Sequence, residues 1–228
     1  MLFRSRANGS GGFRVFAVNH GGRESIEIFD VTSPGANARV TWRGCLLVPK
    51  DVLANGVASL PGGRVVVSGQ NVTIWSPRSG WRGYTPGVIK RANGVIASPD
   101  GRWLYINGSD DYTVNLVATD GRMEDRKVLI TSEFAHADNI RRGSDGKLYT
   151  AGTYVKPEDA KACFTSKLCN VPTVVIVTDP KTNIARELIR IPPSVGAFGA
   201  GTVALRVGNE LWIGASKGDR VAIIPMPK

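Results

Sequence analysis

One sequence motif occurs four times in this chain of 228 residues and constrains its fold more than any other feature. The copies are ANGVASLPGGRVVV (54–67), ANGVIASPDGRWLYI (92–106), ADNIRRGSDGKLYT (137–150) and, more weakly, GTVALRVGNELWIG (201–214). Each copy predicts a short strand, a turn that contains glycine and a second strand. The first three copies start 38 and 45 residues apart, from 92 − 54 and 137 − 92. Because steps near 40 residues are typical of propeller blades, the sequence predicts an all-β fold, a β-propeller.

The segments between the copies supply further strands, enough for about five blades in a single domain over 1–228. Segments 13–19 and 25–31 have the pattern of later strands in the first blade. The innermost strand of that blade is either missing or within the first dozen residues, so we expect the first blade to be incomplete. Helical periodicity is weak, and only 157–163 predicts one helical turn.

Composition limits the kinds of partner. The chain carries a formal charge of +10, but its basic residues are scattered singly instead of forming a run with aromatic residues between them. We therefore expect no nucleic-acid partner. No apolar run approaches the roughly 18 residues of a spanning helix, so no membrane span is expected. The opening segment MLFRSRANGSGGF lacks the apolar stretch of a secretory signal, and the sequence does not assign a compartment. It does not predict the oligomeric state either.

The three cysteines allow one disulfide within the chain. Cys163 and Cys169 bracket a short segment and form either a disulfide or two free thiols, depending on the redox compartment. Cys45 lies in an apolar strand segment, which predicts a buried thiol without a catalytic partner.

Three polar residues occupy equivalent positions in the repeat. Asn55, Asn93 and Asp138 each lie eight residues before the turn glycine of their own copy, at 63, 101 and 146. Since the innermost strand of every blade lines the central channel, we expect these side chains to converge there. Amide and carboxylate oxygens suit Ca²⁺, and Asn139 could add another. The alternative is that Asn-Gly at 55–56 and 93–94 is a turn dipeptide without a ligand.

These segments carry a family resemblance. FAVNHGGRESIEIFDV (16–31), ANGVIASPDG (92–101), DNI (138–140) and GAGTVA (199–204) resemble the senescence marker protein/gluconolactonase (regucalcin-like) family. The closest similarity is to bacterial members with a paraoxonase-like Val-Asn-His segment, and it extends in order over nearly the whole chain. The resemblance implies a six-bladed propeller that hydrolyses lactones or esters with a catalytic calcium, or another divalent cation, in its channel.

The resemblance also implies roles for particular residues. Asn55, Asn93 and Asp138, with Asn139, match calcium ligands of the family. His20 matches the second histidine of the paraoxonase-type dyad, so His20 and Asp138 are the catalytic candidates. The structural alternative for His20 is a hydrogen-bonded, non-catalytic histidine. His136, two residues before Asp138, either approaches the same mouth of the channel or is a loop histidine, and the loop position is expected.

Two features of the family precede the first residue of this chain: a glutamate ligand and the first histidine of the dyad. For this reason we expect the chain, as given, to be a weak or inactive enzyme. A non-catalytic propeller that serves as a scaffold or binding module is one alternative. A propeller like strictosidine synthase, without the calcium ligands, is another. The identity of the small-molecule substrate depends on variable loops and is not predicted.

Overall fold

The computed structural model describes residues 3–9, 11–32, 37–84, 88–165, 169, 171–193, 198 and 200–227. Within these residues the chain forms five antiparallel sheets that follow one another around a common axis as the blades of a β-propeller. The predicted all-β propeller is therefore confirmed. Successive blades meet through their first strands, which makes these strands the innermost ones.

Four blades have four strands and the last described blade has three. The first is β1 (Phe3–Ala7), β2 (Phe13–Asn19), β3 (Ser25–Thr32) and β4 (Arg39–Leu47); the second is β5 (Val57–Ser59), β6 (Val65–Val67), β7 (Thr73–Ser76) and β8 (Gly80–Gly83). The third is β9 (Ala92–Ala97), β10 (Trp103–Gly108), β11 (Thr113–Ala118) and β12 (Lys127–Ile130); the fourth is β13 (Ala135–Arg142), β14 (Leu148–Tyr154), β15 (Thr173–Asp179) and β16 (Ile184–Ile191). The fifth is β17 (Gly201–Val207), β18 (Glu210–Ala215) and β19 (Ala222–Pro225).

The structure shows where the innermost strand of the first blade lies. The innermost strand of the first blade lies within the first dozen residues, at β1, where Phe3 pairs with Ala17 and Ala7 with Phe13. This blade has four strands, and the three-stranded sheet is the last one.

Runs of β-branched residues form strands that are covered on both faces. Val65 and Val67 pack against the first blade, whereas Val66, between them, packs against the third. In the same way Val175 and Val177 pack against the fifth blade, whereas Ile176, between them, belongs to a cluster with Ala135 and Ala137 of β13. A strand between two neighbouring blades has no solvent face, which explains continuous apolar runs in place of alternation.

The outer faces of the first and last blades lack such cover. In the first blade Val40, Trp42 and Leu47 are exposed, and in the last blade Trp212 and Ile223 are exposed. In β18 the alternate residues Leu211 and Ile213 are buried, as the strand period of two requires.

One helix interrupts the fourth blade. α1 (Pro157–Thr165) follows β14 and is longer than the single predicted turn. Cys163 and Cys169 form a disulfide and pack with Val155 and Ala200, whereas Cys45 is free and half-buried. Among the described residues, no helix is long and apolar enough to cross a membrane.

Candidate functional site

Three of the predicted ligand residues line one cavity near the propeller axis. Asn55, Asn93 and Asp138 contribute to a cavity of about 210 Å³ that takes residues from the second to the fifth blade. The other lining residues are Arg91, Ser109, His136, Thr153, Ala200, Gly201, Thr202, Ser216 and Lys217. The expected convergence of equivalent repeat positions is therefore found. Two cavities of about 260 Å³ around Arg6 have neither an acidic residue nor a histidine in their lining.

The Asn-Gly pairs do not form hairpin turns. Asn93 and Gly94 lie inside β9, and Asn55 and Gly56 directly precede β5. Both glycines are sites where the next blade approaches closely. A Cβ on Gly56 would lie 2.8 Å from the Asn93 carbonyl oxygen, and a Cβ on Gly94 would lie 2.6 Å from the Ile140 amide nitrogen. The glycines therefore let successive innermost strands pack together, and the turn-dipeptide alternative does not account for them.

The main chain of each blade's ligand segment is held by a side chain of the blade before it. The Ser68 hydroxyl donates to the Asn93 carbonyl oxygen. Asn107 donates through Nδ2 to the Asp138 carbonyl oxygen at 2.6 Å, and the Ser109 hydroxyl donates to the Ala137 carbonyl oxygen. Sequence reasoning missed these residues because their role depends on contacts between blades.

Asp138 is a carboxyl group in a water-poor environment. Burial raises its pKa to about 7, against the opposing effects of Arg91, a hydrogen bond from Asn93 and Arg141. Asp138 is only partly accessible, and its accessible surface faces the cavity. Such a carboxylate favours a counter-charge or a proton at neutral pH.

Asn139 does not line the cavity. Its Nδ2 donates to Asp138 Oδ1 at 3.0 Å and to the Thr202 carbonyl oxygen at 3.0 Å. In this arrangement Asn139 positions the carboxylate and ties β13 to β17, and its role as a direct ligand stays a prediction.

The amide oxygens of the two asparagines test whether these residues fit a cation. Asn55 Oδ1 and Asn93 Oδ1 are buried, and no hydrogen-bond donor among the described residues reaches them. A buried acceptor without a partner is costly, and a cation is one group that can satisfy it. Together with the Asp138 carboxylate, these oxygens form a hard-cation ligand set, so the residues fit calcium. No cluster of three or more His, Cys, Asp or Glu suited to a metal occurs in the described part of the chain.

His20 lies outside the cavity lining, on the hairpin between β2 and β3. Its side chain is 58% exposed, and its Nδ1 lies 2.8 Å from Glu24 Oε2. The other oxygen, Glu24 Oε1, accepts a hydrogen bond from the Ala54 amide at 2.7 Å. Glu24 thus connects His20 to the segment that carries Asn55. The sequence alone does not single out Glu24, since a carboxylate on a hairpin is usually only solvated.

The second histidine is inside the site. His136 Nε2 lies 3.2 Å from the Val155 carbonyl oxygen, and its Nδ1 lies 3.5 Å from Asp110 Oδ1. Asp110 also accepts from Arg91 Nε at 3.0 Å. The expectation of a loop histidine is corrected, because His136 is a β13 residue in the cavity lining.

The comparisons with known proteins identify the fold. No protein-family model matches the chain, and no curated protein matches its sequence. The solved structures that match include the nidogen/laminin complex, at 10% identity and a TM-score of 0.58 over 95% of this chain and 72% of that chain. They also include a catalytically inactive virginiamycin B lyase from Staphylococcus aureus with quinupristin, at 14% identity and a TM-score of 0.50 over 99% of this chain and 74% of that chain. Hydrazine synthase of Kuenenia stuttgartiensis also matches (17% identity, TM-score 0.57, 100% and 66%).

At these identities the likeness shows the fold alone. The structural neighbours support a β-propeller fold for this chain, and one of these neighbours is a lyase. The resemblance to the regucalcin-like family stays a prediction.

Proposed function

We propose that the axial cavity is the active site of a calcium-dependent hydrolase of lactones or esters. The observation that carries the proposal is the pair of buried amide oxygens, Asn55 Oδ1 and Asn93 Oδ1, in the same cavity lining as the Asp138 carboxylate. No donor among the described residues reaches these two oxygens, and amide and carboxylate oxygens suit a hard cation.

The ligands in this proposal are Asn55, Asn93 and Asp138. When bound, calcium would supply Lewis-acid chemistry by polarising a substrate carbonyl and stabilising negative charge on its oxygen. Asn139, Ser68 and Asn107 act on the ligands and not on the substrate. Asn139 orients the carboxylate, and the other two fix the ligand main chains.

Following the resemblance, proton transfer is assigned to His20, which lies outside the cavity lining and is connected to the segment of Asn55 through Glu24. If Nδ1 donates to Glu24, the free lone pair of the ring lies on Nε2 and can accept a proton. His20 then takes a proton from water as the water oxygen attacks the carbonyl carbon. The proton passes to the departing alcohol oxygen when the carbon–oxygen ester bond breaks. Glu24 supplies the orienting group for His20 in this proposal.

The proposal is tested by calcium binding and turnover in parallel. We expect calcium to raise the melting temperature of the wild type and of Asp125→Asn, an exposed control, but not of Asp138→Ala. Hydrolysis of simple lactones or phenyl acetate should require calcium and stop in EDTA. Turnover that persists in EDTA, or no calcium binding at millimolar concentration, would contradict the proposal.

The role of His20 has its own comparison. His20→Gln should reduce kcat by about a hundredfold or more. Glu24→Gln should reduce kcat less, because the histidine remains and only the contact that orients its Nδ1 changes. Equal activity in wild type and His20→Gln would remove His20 from the reaction. A calcium-binding protein without any turnover would instead favour the non-catalytic binding module.

A further inference from the structure

We infer that the axial cavity selects a substrate with an anionic group, a carboxylate or a phosphate, that contacts Arg91 and Lys217. The inference rests on the proposed function in taking the cavity as the active site, and it adds the class of substrate. It follows from the cationic side chains of the lining, neither of which stood out in the sequence.

Arg91 is the first of these side chains. It lines the cavity directly before β9, and Asp110 accepts from its Nε at 3.0 Å, which fixes one edge of the guanidinium group. Its main chain has φ 46°, in the left-handed region that residues with a Cβ seldom adopt. Glycine or asparagine would be easier to place at such a position. A strained arginine at a cavity mouth points to a use for its side chain.

Lys217 is the second, and it lies across the cavity in the fifth blade. Its Nζ donates to the Cys163 carbonyl oxygen at 3.2 Å. That carbonyl belongs to α1, and the disulfide between Cys163 and Cys169 links this helix to the segment that follows it. The neighbouring Ser216 amide donates to the Ala200 carbonyl oxygen at 3.0 Å, so the segment that carries Lys217 is anchored on both sides. The ammonium group is therefore held at a defined position in the lining.

The charges of the lining do not balance. Arg91 and Lys217 contribute two positive charges, whereas Asp138 contributes one negative charge at most. Asp110 does not line the cavity, but it contacts Arg91 from behind and contributes one further negative charge. Calcium at Asn55, Asn93 and Asp138 would add two positive charges against the same single carboxylate. A substrate with its own negative charge would offset the excess positive charge of the calcium-bound lining, and a guanidinium group suits carboxylate and phosphate oxygens.

Direct anion binding tests the inference without turnover. Inorganic phosphate and benzoate are titrated by calorimetry into the full chain in EDTA. We expect Arg91→Gln and Lys217→Gln each to weaken binding by roughly tenfold or more, the size of one lost charge-assisted hydrogen bond. Arg122→Gln is the matched control, because Arg122 Nε pairs with Asp120 at 2.8 Å as Arg91 pairs with Asp110. Arg91→Lys, which keeps the charge, should bind better than Arg91→Gln.

The two probes distinguish a phosphate site from a carboxylate site, because the tighter binding of phosphate or of benzoate identifies the anionic group that the cavity prefers. Circular dichroism and the melting temperature establish that each variant is folded. Binding that is absent in the wild type, or equal in the wild type and both glutamine variants, overturns the inference.

Turnover distinguishes this inference from the proposed function. Phenyl acetate and 4-acetoxybenzoate share the reacting ester, but only the second carries a carboxylate. We expect a higher kcat/KM for 4-acetoxybenzoate, with the preference lost in Lys217→Gln. If neither ester is hydrolysed but anion binding depends on Arg91 and Lys217, the anion site stands and the hydrolase proposal fails. If both esters are hydrolysed at equal kcat/KM and anions do not bind, the hydrolase proposal stands and this inference fails.

Discussion

Replacing Asp138 with asparagine should stabilise the protein at alkaline pH when calcium is absent. The native pKa of about 7 lies above the ordinary value of 3.8. The folded state therefore binds a proton more tightly than the unfolded state does, and stability falls as the pH rises from about 4 to about 7. At 1.36 kcal/mol per pKa unit, the penalty at pH 8 is at most about 4 kcal/mol, and at pH 5 it is roughly 2 kcal/mol.

Asparagine keeps the shape of the side chain and cannot ionise, so the variant escapes this penalty. The hydrogen bonds that the carboxylate accepts from Asn93 and Asn139 become neutral ones, which offsets about 1–2 kcal/mol. We expect a net gain of about 2–3 kcal/mol at pH 8 and little or none at pH 5. Urea unfolding in EDTA at the two pH values measures both quantities.

Asp125→Asn provides the baseline, because Asp125 is exposed and its change should stay within about 0.5 kcal/mol at both pH values. Saturating calcium should reverse the order by stabilising the wild type and leaving Asp138→Asn unchanged. If the wild type and Asp138→Asn lose stability in parallel between pH 5 and pH 8, the carboxylate is solvated and the argument from burial is wrong.

Three further predictions concern packing, the disulfide and the histidine. Gly94→Ala should cost about 1–3 kcal/mol in unfolding experiments and weaken calcium binding, whereas Gly83→Ala, with open space around its Cβ, should be neutral. Cys169→Ser should lower the free energy of unfolding by about 2 kcal/mol. It should also lower the anion affinity, because the contact between Lys217 and the Cys163 carbonyl loosens. A phosphate affinity equal to that of the wild type would show that the disulfide stabilises the fold without positioning Lys217. His20→Gln should leave calcium affinity unchanged, because His20 lies outside the cavity lining, and a changed affinity would place it at the metal.

The repeat predicted the inner hairpins of the blades well because every blade solves the same packing problem. The segment at 54–67 contains β5 and β6, and the segment at 92–106 contains β9 and most of β10. The first blade was harder to predict. Its strand β1 contains two arginines in five residues, so no apolar run marks it. Its outer strand β4 is exposed from Arg39 to Arg43, so the tryptophan and valine there are no guide to burial.

The candidate site could be predicted only where it follows the repeat. Asn55, Asn93 and Asp138 share one position in three copies, and that periodicity brings them to one axis. Glu24 and Lys217 have no equivalent pattern, since each acts through a contact with another blade or with α1. Such contacts depend on tertiary geometry, which a single sequence does not encode in any local signal.

The contacts between blades also explain why the site should respond to mutations far from the axis. Asn107 belongs to the third blade but holds the carbonyl of Asp138 in the fourth, and Ser68 of the second blade holds Asn93 in the third. The spacing between two ligands is thus the spacing between two blades. That spacing is determined by the apolar layer in which Val66 packs against Val95 and Leu104. A cavity in this layer lets the blades shift relative to one another, so a core residue that touches no ligand controls how closely the amide oxygens approach the carboxylate.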